Sequence, residues 1–154
     1  IVMLGHNSLD TIWPSGELLS GNNPLWYALH SQSSTLVGSI HLIFAYPLLP
    51  WIGIMLVGYG TAFVFTKPAR ERDKILIISG VIMMALFFIL RATQIYGDPN
   101  PWQPHALGLQ ATILDFMNVT KYPPSLLFTL ITLGPMAILC AYADKFSGKC
   151  KWGV

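Results

Sequence analysis

Three apolar runs dominate this chain, and each has the length a helix needs to cross a lipid bilayer. Pro47–Thr66 (PLLPWIGIMLVGYGTAFVFT) holds 20 residues without a charge. As a helix it covers roughly 30 Å, the thickness of a bilayer's hydrocarbon core. Ile75–Leu90 is 16 residues, slightly short, and reaches full span if Ala92–Ile95 continue the helix while the long Arg91 side chain snorkels to the interface. Pro123–Ala143 supplies 21 more. The expectation is an all-α polytopic membrane bundle with complete spans at about 47–66, 75–95 and 123–143. The opening apolar residues Ile1–Leu4 read as the end of a fourth span, so the chain is expected to be a fragment rather than to start with a signal peptide.

Prolines support these limits. Pro47 and Pro50 fall in the first turn of the first run, and Pro123 and Pro124 are expected to open the third, where a missing N–H costs nothing. Pro135 lies mid-run after Gly134 and should kink the third helix near Ile131.

Charge then orients the bundle. Only 10% of the residues are charged against 53% hydrophobic, and the net charge of +2 is too small to indicate a nucleic-acid partner. Seven of the nine Lys and Arg lie in two places: the linker 67–74 (Lys67, Arg70, Arg72, Lys74) and the tail 144–154 (Lys145, Lys149, Lys151). By the positive-inside rule both are cytoplasmic, which puts segments 5–46 and 96–122 on the opposite, outer side, the periplasmic one if the membrane is a bacterial inner membrane. Those two segments are rich in Trp, Tyr, Pro and Gly. Their apolar stretches Leu25–Leu29 and Leu107–Met117 predict short helices lying along the membrane surface.

Polar residues worth testing as a site cluster at the edges of the spans. His6 and Asp10, four apart and flanking Asn7, share a face if the helix continues, and could set an imidazole for proton transfer; a self-bonded helix end is the simpler reading. Arg91 borders the second span and faces the turn-forming stretch Tyr96–Trp102, where it would pair with Asp98 or grip an anionic group. Asn118, Lys121 and Tyr122 lead into the third span. There Lys121 stands at the positive end of a helix dipole and calls for an anion, with Asp115 as a nearby protein source. Gly53–Gly60 offers small residues for close helix packing around Tyr59. His30, His41 and His105 have no ligand spacing, and Cys140 and Cys150 form no metal or redox motif, so no metal is expected.

The strings GHNSLD, YPLLPWIGIMLVGYG, LRATQIYGDPNPW and MNVTKYPPSLLFTLITLGPMAIL, in that order and spacing, resemble a bacterial family of uncharacterised membrane proteins. That family is related to the catalytic domain of heparan-α-glucosaminide N-acetyltransferase. The resemblance implies that 1–154 is the later middle of one transmembrane acyltransferase-like domain of ten or more helices. It also implies acetyl-CoA as a co-substrate and a sugar or glycan as acceptor. The family's histidine lies near a first helix outside this chain, so the resemblance assigns catalysis to no residue here and implies that this stretch alone is inactive. His6 falls in the GHN string without an assigned role. The competing expectation is a non-enzymatic transporter or flippase-like bundle for a glycan or lipid precursor, in which a helix broken at Pro135 would line the path.

Overall fold

The computed structural model describes residues 2–9, 24–30 and 32–147. In chain order the elements are α1 (Val2–Gly5), α2 (Pro24–Leu29), strands β1 (Ser33–Val37) and β2 (Ile40–Phe44), α3 (Leu48–Thr61) with a 3-10 extension (Ala62–Thr66), α4 (Ala69–Thr93), α5 (Leu109–Met117) and α6 (Leu126–Ser147). Three helical stretches are long and apolar enough to cross a membrane: Leu48–Thr66, Ala69–Thr93 and Leu126–Ala143. All three expected spans are therefore present, the first within one residue of its expected bounds and the other two with shifted ends.

Each shift has a local cause. Helix α4 begins six residues before the apolar run, because Pro68 stands at its N-cap and nothing in Arg70–Lys74 stops a helix leaving the bilayer for water. Lys67 pairs with Glu71 at 3.7 Å across this first turn, and Arg72 with Asp73 at 2.8 Å. The helix stops at Thr93, where Gln94 takes the left-handed conformation (φ 53°) and bonds the Leu90 carbonyl. Helix α6 starts at Leu126, so Pro123 and Pro124 precede it instead of opening it, and the Tyr122–Pro123 bond is cis. Pro135 does lie inside α6, and the helix continues through it.

The expectation of an all-α chain is corrected by a small antiparallel sheet. Ser33 pairs with Phe44 and Val37 with Ile40 around the turn Gly38–Ser39, in which Gly38 adopts φ 62°. The residues that make it, Thr35-Leu36-Val37 and Ile40-His41-Leu42-Ile43-Phe44, favour the pleated backbone, and a two-residue glycine turn joins them.

Helices α4 and α6 run antiparallel and make the most extensive contact in the molecule. They approach closest at two glycines. A Cβ on Gly80 would stand 2.6 Å from both the Gly134 carbonyl oxygen and Cγ1 of Ile138. Apolar clusters lie on either side of this crossing. Toward the basic end, Val64, Leu76 and Ala141 meet; toward the far end, Phe87 packs with Leu126, Leu127 and Leu130. Helix α3 touches this pair through Val64 in its extension, while Ile52, Met55, Leu56, Tyr59 and Phe63 stay exposed. A surface of this composition is suited to lipid. The packing role expected of Gly58 and Gly60 is not realised among the described residues, since neither has any atom within 4 Å of an added Cβ.

Candidate functional site

The residues singled out at the far end of the spans converge on the N-terminus of α6. A helix start leaves backbone N–H groups without intrahelical partners. Here all are taken. The Leu126 N–H donates to Asn7 Oδ1 (2.9 Å), the Leu127 N–H to the Gly97 carbonyl (3.0 Å), and the Phe128 N–H to Ser125 Oγ (3.0 Å). Ser125 is thus the N-cap, and its hydroxyl in turn donates to Asp98 Oδ2 at 2.7 Å. Gly97 sits at φ 107° with Leu127 Cγ 3.2 Å from where a Cβ would be, so the close approach that delivers its carbonyl needs glycine.

Asp98 is saturated. Besides Ser125 it accepts from the Thr120 N–H (2.7 Å), Thr120 Oγ1 (2.9 Å) and the Asn100 N–H (2.9 Å). A carboxylate held against a helix N-terminus is favoured by the helix dipole. The anion required at this helix end is therefore Asp98 itself. Lys121 forms no ion pair with it and is exposed, with Nζ 5.1 Å from the centre of the Tyr122 ring. Tyr122 also packs edge-on against Tyr46 (5.4 Å) and lies 6.5 Å from Trp51, an aromatic cluster that charge patterning gave no hint of.

Arg91 does something different from either role foreseen for it. It neither snorkels nor pairs with Asp98, and is only 2% exposed. Its Nε donates to the Phe116 carbonyl (2.9 Å), Nη1 to Asn100 (2.8 Å), and Nη2 to both Asp115 (3.0 Å) and Asn118 (2.7 Å). Three of these carbonyls end α5, so the guanidinium caps that helix and meets its negative pole. Four of five N–H donors are spent on backbone, which leaves little with which to bind an anion. Trp102 closes the arrangement by donating Nε1–H to the Arg91 carbonyl at 2.9 Å. Beside the guanidinium lies a cavity of about 210 Å³, lined by Arg91, Gln94, Tyr96, Asp98, Asn100 and Leu127 among others.

Asp115 does not partner Lys121. It accepts the Gln103 N–H at 2.8 Å and lies 3.4 Å from His105 Nε2, and that backbone bond followed by the histidine holds its carboxyl below the usual carboxylate range. Asn118 contributes its carbonyl to Arg91, and its side chain is exposed.

The last grouping is histidine-centred. His6 is 3% exposed and His30 is fully buried, with ring centroids 6.0 Å apart, and Trp26 packs on His30 at 4.9 Å. The Leu9 N–H bonds the His6 carbonyl at 3.0 Å and the Ser8 hydroxyl the Gly5 carbonyl, as a self-bonded helix end would. Asp10, the proposed partner of His6, lies outside the described residues. The structure thus joins Asn7, Asp98 and Arg91 to one framework and leaves Lys121 on its rim. Sequence reasoning gave Ser125, Thr120 and Gly97 no role beyond their place in the loops, and set His30 aside for want of ligand spacing. Of these, Ser125 carried a readable signal, a serine directly before an apolar helical run.

Three helices long and apolar enough to cross a membrane are the mark of a helical membrane protein. Compared with protein-family models, curated proteins and solved structures, the chain matches none. Among the described residues no group of three His, Cys, Asp or Glu is placed to hold a metal ion.

Proposed function

We propose that this chain is a section of a multi-pass bacterial plasma-membrane acyltransferase that moves an acetyl group from acetyl-CoA to an amino sugar or glycan. In this reading α1 is the end of a fourth span, the basic end of the helices faces the cytoplasm, and the acceptor binds at the far end. Apart from the resemblance in the GHNSLD and NVTKYPPSL strings, one observation carries the reading. It is the buried pairing of His6 and His30 at the far end, directly beside the Asn7 contact with α6. With the thioester reaching the far end from the basic side, acyl transfer to the amine forms a C–N bond and breaks the C–S bond. Imidazole is the side chain best suited to take the proton lost by nitrogen near neutral pH and return it to the departing thiolate, which leaves as free coenzyme A. The amides at the start of α6 are all engaged and so do not supply stabilisation of the developing oxyanion.

The test uses the whole protein in sealed vesicles, with acetyl-CoA on the basic side and glucosamine on the other. N-acetylglucosamine should form, and His6→Asn and His30→Asn should each abolish most turnover while leaving the protein folded. Passage of unmodified glucosamine without acetylation would make the protein a transporter, and full activity in both variants would remove the histidines from the chemistry.

A further inference from the structure

Helix α5 is sided in a way that water alone would not favour. Leu109, Gln110, Ile113, Leu114 and Met117 face outward, and the four apolar members of that face are 74%, 52%, 71% and 42% exposed in chain order. Ala111, Thr112, Asp115 and Phe116 face the protein. The polar groups of this inner side are already used: Thr112 Oγ1 accepts the His105 N–H at 3.0 Å and Asp115 holds the Gln103 N–H. The helix spends its polarity on the loop beneath it and presents a leucine and isoleucine stripe to whatever lies outside.

Its depth is set by two contacts with α4. The Phe116 ring stacks on Phe88 (6.2 Å, 16° between planes) and meets Phe87 edge-on at 6.2 Å. One turn further along α4, Arg91 binds the carbonyls of Asp115, Phe116 and Asn118. Phe87 and Phe88 belong to the last turn of α4's apolar run, so the C-terminal turn of α5 meets α4 where that run ends. Leu86, Phe88 and Ile89 on α4 are themselves exposed, which makes the outward face of α5 continuous with the surface of a membrane span.

We propose that α5 lies inserted in the plane of the bilayer, with Leu109, Ile113, Leu114 and Met117 in contact with the acyl chains of the leaflet at the far end. A helix with an apolar stripe of this kind sinks into the boundary between headgroups and acyl chains. Arg91 and Phe116 fix the angle at which it enters, because they tie its C-terminal turn to α4. This inference rests on the membrane-spanning helices and is independent of the acyl-transfer reading.

Single-cysteine variants test it, made in the full chain with Cys140→Ala and Cys150→Ser. Ile113→Cys, Leu114→Cys and, as a water-facing reference, Gln103→Cys are labelled with a nitrobenzoxadiazole fluorophore. Each is reconstituted into vesicles of phosphatidylethanolamine and phosphatidylglycerol. Labels at 113 and 114 should emit to the blue of the label at 103. They should lose most of their emission to a lipid carrying a nitroxide near the top of its acyl chain and resist aqueous iodide, whereas the label at 103 should show the reverse. Iodide quenching at 113 and 114 equal to that at 103 would place the helix in water and overturn the proposal. Protection from both quenchers would overturn it too, since a protein helix or a second copy would then cover the face.

Discussion

At the scale of single residues, the charged groups gathered at the far end of the spans act through backbone more than through one another. A sequence displays its charges, so pairing Arg91 with Asp98 is the natural reading. Backbone acceptors are carried by every residue and are invisible in composition, and they are what Arg91 found. Arg91→Met should lower stability by about 3 kcal/mol or more, since it strands several carbonyls at a buried site. Arg91→Lys should recover only part, because an ammonium lacks the planar fork. Thermal unfolding in detergent checks both, and an unchanged midpoint for Arg91→Met would end the clamp reading. Lys121→Ala, by contrast, removes one exposed stacking contact and should cost no more than about 1 kcal/mol. A stable, fully active Lys121→Ala protein would exclude any role for it in substrate binding. Asp115 adds a pH response. Its carboxyl is held below the usual range in the folded state, so its bonds to Gln103 and His105 favour folding above the ordinary carboxylate pKa and are lost as pH falls through the lowered value. The NMR signal of the Trp102 indole, which packs on Phe116, should report loosening of this loop in acid, and Asp115→Asn should flatten that response.

At the scale of elements, hydropathy located the spans and misjudged where helices begin and end. The bilayer boundary and the helix boundary are different things: apolar content marks the first, while Pro68, Gln94 and Ser125 set the second. The hairpin was legible in its residues, with strand-forming runs either side of Gly38–Ser39. It went unread because no strict apolar–polar alternation accompanies it. The glycines separate most sharply. Gly58 and Gly60 draw the eye as a pair in an apolar helix, yet Gly80, alone in its run, is where the backbones meet. Gly80→Ala should push α4 from α6 and destabilise the protein markedly, because a backbone oxygen stands 2.6 Å from the new carbon. Gly134→Ala, with its nearest atoms at 3.2 Å, should cost less. Gly58→Ala and Gly60→Ala should be neutral or stabilising by up to about 1 kcal/mol through helix propensity alone. Equal losses at all four positions, measured as unfolding midpoints, would contradict the packing described.

At the scale of the whole molecule, the basic residues at one end of the three spans predict which way the protein sits. Externally added, membrane-impermeant maleimide should label Ser34→Cys in the hairpin strongly and Arg70→Cys at the start of α4 not at all, both positions being exposed. The opposite pattern would invert the protein in its membrane. Orientation also bears on how such a molecule is completed. The bond from the Leu126 N–H to the Asn7 side chain joins positions 119 apart, and the Leu127 N–H reaches Gly97 at the same helix end. A chain delivered to the membrane span by span has Asn7, Gly97 and Asp98 in place before α6 arrives. Until then the Asn7 and Gly97 oxygens lack their bonds to the α6 amides, while Asp98 is held by Asn100 and Thr120. Helix α6 is thus the piece that closes this end of the described bundle. A chain halted before Leu126 would leave these bonds to α6 unmade at the membrane surface, a mark that sets it apart, for a quality-control protease, from a chain that carries α6.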